Sequence, residues 1–398
     1  MILYRQHPHE RLWEENYALQ AYLQQPLGGG WTMAARLRYE HGWNRYEDVD
    51  VKYADGRQVD LHHQTEYYAS ATVAWQPTPS WGVAVAEDVA YGTLSNNVYE
   101  GAEPRRWTSL TALSARYSHR RWTLDGRLVG TLAQDRRTLQ SSARDRLDRH
   151  CLSPSLSFSW RLLRAEPLYL RAMLKQTFRQ PSFNDLYYRR FGTVDLRPEQ
   201  AWMYGLGLAW SGSLHQHLYI EATADGYFNR VTDKIVAFPA AYVWRMMNLG
   251  RVDIAGLDVA LQAQCPLTAK WHVDVNASYA LQHAVDRTDE RRAYYGLQIP
   301  YTPRHSATAS AILATPWLHV GYTLQACSER YSDLLHNDDT RMAPYVEQHL
   351  TLSRDLAVGD GTLSLSASVR NLADTQFEII QYYPMPGRHW QAEIKYRF

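Results

Sequence analysis

The residues best suited to chemistry gather in three stretches. The first, 179–199, sets Phe183, Tyr187, Tyr188 and Phe191 among Arg179, Asp185, Arg189 and Arg190. Such a stretch offers stacking faces and charge to an incoming ligand. The same aromatics can instead pack on one another, and Asn184, Asp185, Pro198 and Glu199 have the chemistry of turns and loop-locking hydrogen bonds. The second stretch carries Tyr382, Tyr383, Met385 and Arg388. Two prolines around Met385 hold it at low conformational entropy, which suits a ligand-contacting loop and equally a rigid lid. Trp244, Met246 and Met247 make up the third group. Candidate ligand contacts are therefore Arg179, Phe183, Tyr187, Tyr188, Trp244, Met246, Tyr382, Tyr383, Met385 and Arg388.

Other chemistry is weakly represented. His62 with His63, and His336 with Asp338 and Asp339, are neighbours of metal-ligand type. Spacing alone reads as solvated loop, and Asp333, Asp338 and Asp339 do not form an EF-hand pattern. No metal or other cofactor is expected. There is no G-x-S-x-G, no H-E-x-x-H and no Walker A, so no enzyme is expected either. Cys151, Cys265 and Cys327 form no C-x-x-C, and an odd count gives no disulfide framework.

The elements that must position these residues are strands. The chain has 398 residues, 13% of them aromatic, with 28 Tyr and 14 Trp. A net charge of +1 without a basic block excludes the electrostatic signature of a nucleic-acid binder. A mean hydropathy of -0.47 and the absence of an ~18-residue apolar run exclude a bundle of membrane helices. A spanning β-strand remains compatible, because it alternates lipid-facing with inward-facing residues and averages to low hydropathy.

Period-2 alternation runs throughout. Trp271, Val273, Val275, Ala277, Tyr279 and Leu281 oppose His272, Asp274, Asn276, Ser278, Ala280 and Gln282; Trp390, Ala392, Ile394, Tyr396 and Phe398 close the chain in the same way. The alternation predicts about seventeen strands, near 16–26, 31–40, 64–77, 80–91, 105–119, 121–134, 149–162, 166–178, 200–211, 215–237, 252–266, 270–283, 304–315, 316–328, 345–355, 362–372 and 388–398. Most are longer than the ~5–6 residues usual in globular sheets and reach the ~9–11 that a tilted membrane crossing needs.

The connections alternate short and long. Short ones include Pro26–Gly30, Pro77–Ser80, His119–Arg121 and Ala357–Gly361; long ones cover about 41–63, 92–104, 135–148, 179–199, 238–251, 284–303, 329–344 and 373–387. Tight periplasmic turns at one rim and long extracellular loops at the other are the pattern of an outer-membrane barrel. A two-sheet sandwich has no reason to sort loops by parity. The expected fold class is therefore all-β, a transmembrane antiparallel β-barrel.

Several ordered motifs carry a family likeness. Phe178-Arg179-Gln180-Pro181-Ser182-Phe183-Asn184-Asp185-Leu186-Tyr187-Tyr188 is followed by Asp195-Leu196-Arg197-Pro198-Glu199, then by Tyr227–Val236 and Trp244–Gly250. Gln298–Ser306, Val369-Arg370-Asn371-Leu372-Ala373-Asp374 and Tyr382–Arg388 come next in the same order. From about residue 60 to its end the chain resembles TonB-dependent outer-membrane receptors, in a Bacteroidota-type branch grouped with cobalamin, haem and siderophore receptors. The terminal strand, with Ile394, Tyr396 and Phe398, resembles the assembly signal that the barrel assembly machinery reads from the periplasmic side.

The resemblance implies a 22-stranded barrel filled by an N-terminal plug, whereas about seventeen strands are readable here. At roughly 23 residues per strand and connection, five further strands would take about 115 residues. Residues 1–398 are accordingly read as a partial receptor barrel, with the first strands, the plug and the leader peptide expected upstream. The implied partners are the bilayer of the bacterial outer membrane, a small-molecule nutrient, the assembly machinery and TonB through the plug alone. A surface lipoprotein is a compatible further partner. Polar-face residues such as Asp125, Arg127, Asp274, Glu393, Lys395 and Arg397 read as wall lining that would meet the plug. The leading expectation is TonB-energised uptake of cobalamin, haem or a ferric siderophore. The rival readings are a passive, unplugged pore and a secreted β-rich adhesin.

Overall fold

The computed structural model describes residues 9–51, 56–98, 103–136, 146–188, 192–214, 217–240 and 243–398, without the side chains of 146–147, 238–240 and 243–244. Its strands are β1 (Arg11–Gly28), β2 (Trp31–Asp48), β3 (Gln58–Thr78), β4 (Trp81–Asn96), β5 (Arg105–His119), β6 (Trp122–Arg136), β7 (Arg146–Arg161) and β8 (Leu168–Arg179). After the five-residue helix α1 (Phe183–Tyr187) come β9 (Glu199–Leu214), β10 (Leu218–Ala240), β11 (Val243–Thr268), β12 (Trp271–Asp286), β13 (His305–Ala314) and β14 (His319–Cys327). The remainder are β15 (Arg330–Tyr331), β16 (Arg341–Met342), β17 (Tyr345–Val358), β18 (Gly361–Arg370), β19 (Glu378–Ile380), β20 (Tyr383–Pro384) and β21 (His389–Arg397).

Seventeen of these strands belong to one sheet, the number that the alternation predicts, while β15–β16 and β19–β20 are separate two-stranded ribbons. Antiparallel registers join β1 through β6 in sequence order, and β11, β12, β13, β14, β17, β18 and β21 in the same way. The short turns at Pro26–Gly30, Pro77–Ser80, His119–Arg121 and Ala357–Gly361 fall where expected, whereas Ser211–Leu214, also expected as a turn, belongs to β9. Gly30 shows why one of them is glycine: its φ is +83°, and a Cβ there would lie 2.5 Å from the Gln76 carbonyl oxygen.

Strand extents correct two expectations. The connection expected over 238–251 shrinks to residues 241–242, and that over 41–63 to 49–57, because β10, β11, β2 and β3 run on. Trp244, Met246 and Met247 are therefore strand residues of β11, and His62 and His63 are strand residues of β3. In these extensions polar and apolar residues no longer sort by face, as Trp244, Arg245, Met246, Met247 and Asn248 on β11 show, so alternation fades while the backbone ladder continues.

The chain divides into two compact units. The first contains residues 1–158, 173–202 and 233–248; the second contains 159–172, 203–232 and 249–398. In the first, β4 exposes Trp81, Val83 and Val85 and half-buries Gly82, Ala84 and Ala86 between them. Register carries this sidedness across the neighbours: Val73, Val85 and Leu113 stand opposite one another, as do Ala74 and Ala84 on the other face. Aromatics mark both ends of the apolar face. Near the short turns, Trp31 stacks on Trp75 at 5.5 Å, Trp75 meets Trp81 edge-on at 5.2 Å, and Tyr117 meets Trp122 at 5.2 Å. Near the other end Tyr39, Tyr67, Tyr91 and Trp107 stand successively opposite one another. Ten residues of strand at ~3.3 Å, tilted ~40°, span roughly 25 Å between Trp81 and Tyr91, the height of an outer-membrane apolar band.

The second unit repeats the pattern. Leu257, Val259 and Leu261 face Leu281, Tyr279 and Ala277 in register and are exposed, whereas Asp258, Gln262 and Gln264 share the other face with Ala280, Asn276 and Asp274. Trp390, Ala392, Ile394 and Tyr396 join Val369, Ala367, Leu365 and Leu363 on the apolar face. Trp271 and Trp317 meet edge-on at 5.9 Å near the short turns.

Candidate functional site

Burial concentrates at the long-connection ends of the strands. In the first unit, Leu94, Phe183, Leu186, Tyr187, Leu196 and Ile235 form a packed cluster flanked by Val194 and Met246. The helix α1 sits in it for local reasons. Ser182 caps it: the Asp185 amide donates to Ser182 Oγ (3.1 Å), and the Ser182 amide donates to Asp185 Oδ2 (2.9 Å). Arg179 extends from β8 and donates to Asp185 (3.1 Å), with Glu199 3.7 Å away. Glu199 also accepts the Ile235 amide at 2.9 Å.

Beside the helix, Arg106 donates two hydrogen bonds to Asp135 (2.5 and 2.8 Å) and one to the Pro181 carbonyl (2.7 Å), and Arg149 adds a third contact to Asp135 at 2.9 Å. The Arg106 guanidinium lies 5.1 Å from the centre of the Phe183 ring. Charge on the polar face of β5 and β6 thus holds the loop in place.

Five of the predicted contacts come together here. Phe183 and Tyr187 retain only 7% and 1% exposure, with rings 6.0 Å apart. Tyr188 is half-buried and stacks on His62 at 4.7 Å with an interplanar angle of 7°. Burial, with Glu14 and Asp60 nearby, raises its phenol above the ordinary tyrosine value, against a hydrogen bond with Asn44. Met246 packs partly buried on the cluster, and its carbonyl accepts from Thr193 Oγ1 at 2.6 Å. Arg179 completes the group. The Trp244 side chain, and residues Arg189, Arg190 and Phe191, lie outside the described residues.

The last long connection belongs to the second unit. Tyr382 and Tyr383, 62% and 63% exposed, stand at the tip of the β19–β20 ribbon. Tyr382 adopts φ +68°, and its amide donates to Glu378 Oε2 at 2.9 Å. The Met385 amide donates to the Phe377 carbonyl (2.9 Å), and the amide of exposed Arg388 donates to Asp374 Oδ1 (2.7 Å). Phe377 in turn stacks on Tyr345 at 4.2 Å. Ile394 and Tyr396 on β21, and Phe398 just after it, are all exposed.

The suspected metal neighbours are engaged otherwise. His62 and His63 project to opposite faces of β3, the first to Tyr188 and the second toward His41 and Trp43. His336 stacks on Tyr331 at 4.0 Å, and its Nε2 lies 2.7 Å from the Gln298 carbonyl oxygen. Among the described residues no three His, Cys, Asp or Glu converge on a metal position.

Sequence reading alone gave no role to three polar side chains that lock the loops. Fully buried Asn371 donates to the carbonyls of Thr375 and Pro386 (2.9 and 3.2 Å) and accepts the Thr375 amide (2.8 Å). Gln298 accepts from the Ala284 amide and donates to the carbonyls of Gln282 and Thr302. Asn248 accepts the Arg197 amide and donates to the carbonyls of Arg197 and Asp233. All three fall in the quoted motifs, so the motif order was the available signal.

Long antiparallel strands with one apolar, aromatic-edged face, one polar face, and packed loops at their long-connection ends define a membrane-type β-wall. The chain matches the family described as TonB dependent receptor-like, beta-barrel, over residues 5–372, and belongs to it. Receptor barrels of this family reside in the bacterial outer membrane, and the family consists of receptors and transporters, not enzymes. The fold is shared with a solved structure titled copper transporter OprC (15% identity, TM-score 0.76, 95% of this chain and 65% of that one). It is shared also with the siderophore receptor PiuA from Acinetobacter baumannii (14%, 0.75, 97% and 65%). A third is the ferric-catecholate import receptor Fiu from E. coli K12 (14%, 0.71, 98% and 65%). The chain thus spans just under two thirds of the length of these structures.

Proposed function

We propose that this chain forms the barrel wall and extracellular loops of an outer-membrane receptor that imports a scarce nutrient with energy from TonB. The observation that carries the reading is the family match over residues 5–372 on a sheet with an aromatic-edged apolar face. In this reading the TonB contact belongs to a plug domain, and the residues of this chain bind and enclose. Energy enters mechanically from the inner membrane, so the wall needs no nucleotide site and no catalytic group.

The ligand reading rests on the exposed pair Tyr382 and Tyr383, with Met385 and Arg388 beside them, and on Arg179 and Tyr188 at the edge of the other cluster. Phe183, Tyr187 and Met246 act as the packed floor that holds those edges. Aromatic faces with cations suit a flat or anionic chelate, and a ferric siderophore, haem or cobalamin fits that description. Ile394 and Tyr396 on β21, with the following Phe398, are the segment offered to the assembly machinery.

The test is accumulation of radiolabelled iron from a ferric catecholate by cells that make the receptor containing this chain. Uptake that vanishes when TonB is deleted is the expected result. TonB-independent accumulation, with a stable passive conductance in planar bilayers, would replace this reading with the open pore.

A further inference from the structure

Two rows stand one above the other on the apolar face of the first unit. The lower is the aromatic row Tyr39, Tyr67, Tyr91 and Trp107. Two residues further along each strand, on the same face, the upper row reads His41, Thr65, Thr93, Arg105 and Arg136. Each member stands directly opposite the next across β2 to β6. Every member of the upper row carries a hydrogen-bond donor or a cation, and none is a carboxylate. His41 Nδ1 lies 2.9 Å from Thr65 Oγ1.

Arg105 and Arg136 are both exposed and stand opposite one another, an arrangement in which like charges repel. Glu103 pairs with Arg105 at 3.1 Å, but both groups are open to solvent, and such a pair contributes little. It balances one charge of the two. An anion seated over the row would remove the repulsion and engage hydroxyl and guanidinium donors together.

We propose that this row binds the phosphate of outer-leaflet lipid headgroups. The inference rests on the membrane reading above. The aromatic row marks the interface between acyl chains and headgroups, and the upper row stands one side-chain repeat, roughly 7 Å, further out, at headgroup depth. A lipid rather than a free phosphate is the occupant because the row continues downward into exposed Leu132 and Leu113, which offer acyl chains a surface.

The experiment is native mass spectrometry of the full receptor in detergent, titrated with phosphatidic acid or with phosphatidylcholine. The wild type is expected to retain phosphatidic acid preferentially, and inorganic phosphate is expected not to displace it. The double variant Arg105→Gln/Arg136→Gln should lose that preference about tenfold, while Arg105→Lys/Arg136→Lys, which keeps the charge, should retain part of it. Equal retention of both lipids by the wild type, an unchanged preference in the Gln variant, or displacement by inorganic phosphate would overturn the proposal. Heat-modifiable migration on gels, read in parallel, reports integration separately. A wild type that integrates without lipid preference ends the headgroup site alone, whereas one that fails to integrate ends the membrane reading.

Discussion

Asn371 holds the last long connection by satisfying three backbone groups from one amide. Its own φ of +51° is a conformation that asparagine tolerates better than most residues. Asn371→Ala would leave buried backbone groups unpaired and cost about 1–3 kcal/mol. The expected outcome is a lower unfolding temperature with faster amide exchange over 372–388. Tyr188 supplies a pH dependence. Its phenol is raised by burial, so the folded protein holds the proton longer than the unfolded chain does. The contribution is fully present below the ordinary tyrosine value and is lost as pH rises through the raised one. Alkaline difference spectra of wild type against Tyr188→Phe should show the missing phenol ionising after the bulk of the tyrosines. The type of these residues was legible in the sequence, but their roles were not. Asn371 matters because of carbonyls up to fifteen positions away, and Tyr188 because of His62 across the chain.

Elements were more legible than contacts. Alternation located the seventeen strands because a half-apolar ladder imposes period 2 wherever one face meets lipid. It missed the extension of β2, β3, β10 and β11 because their ends mix polar and apolar residues on one face, as Arg245 and Met247 do on β11. The register Arg106–Asp135 was equally invisible, because Asp135 fell in a stretch that reads as a long connection, 135–148. On β4 the two faces predict unlike costs. Val85→Arg should destabilise by about 2–4 kcal/mol, whereas Ala84→Arg, on the polar face, should cost far less, as read from unfolding in lipid vesicles. For α1, Ser182→Ala removes the cap and should cost about 1 kcal/mol, seen as protease sensitivity within 179–199.

At the largest scale, burial among the described residues of each unit concentrates where loops fold over strand ends. Large apolar side chains such as Leu37, Val85, Leu113, Leu206 and Ile394 are exposed along the strands. In water such a surface would be an aggregation liability; between two aromatic rows it is a surface made for acyl chains. The measurement that tests this most directly is spin-label accessibility along β4 in membranes, in a chain freed of Cys151, Cys265 and Cys327. Labels at Val83→Cys, Val85→Cys and Val89→Cys are predicted to collide mainly with oxygen dissolved in lipid. Labels at Ala84→Cys and Ala86→Cys should not, giving a period of two. Uniform shielding of both faces, or ready collision of the valine-face labels with a water-soluble nickel complex, would contradict the account.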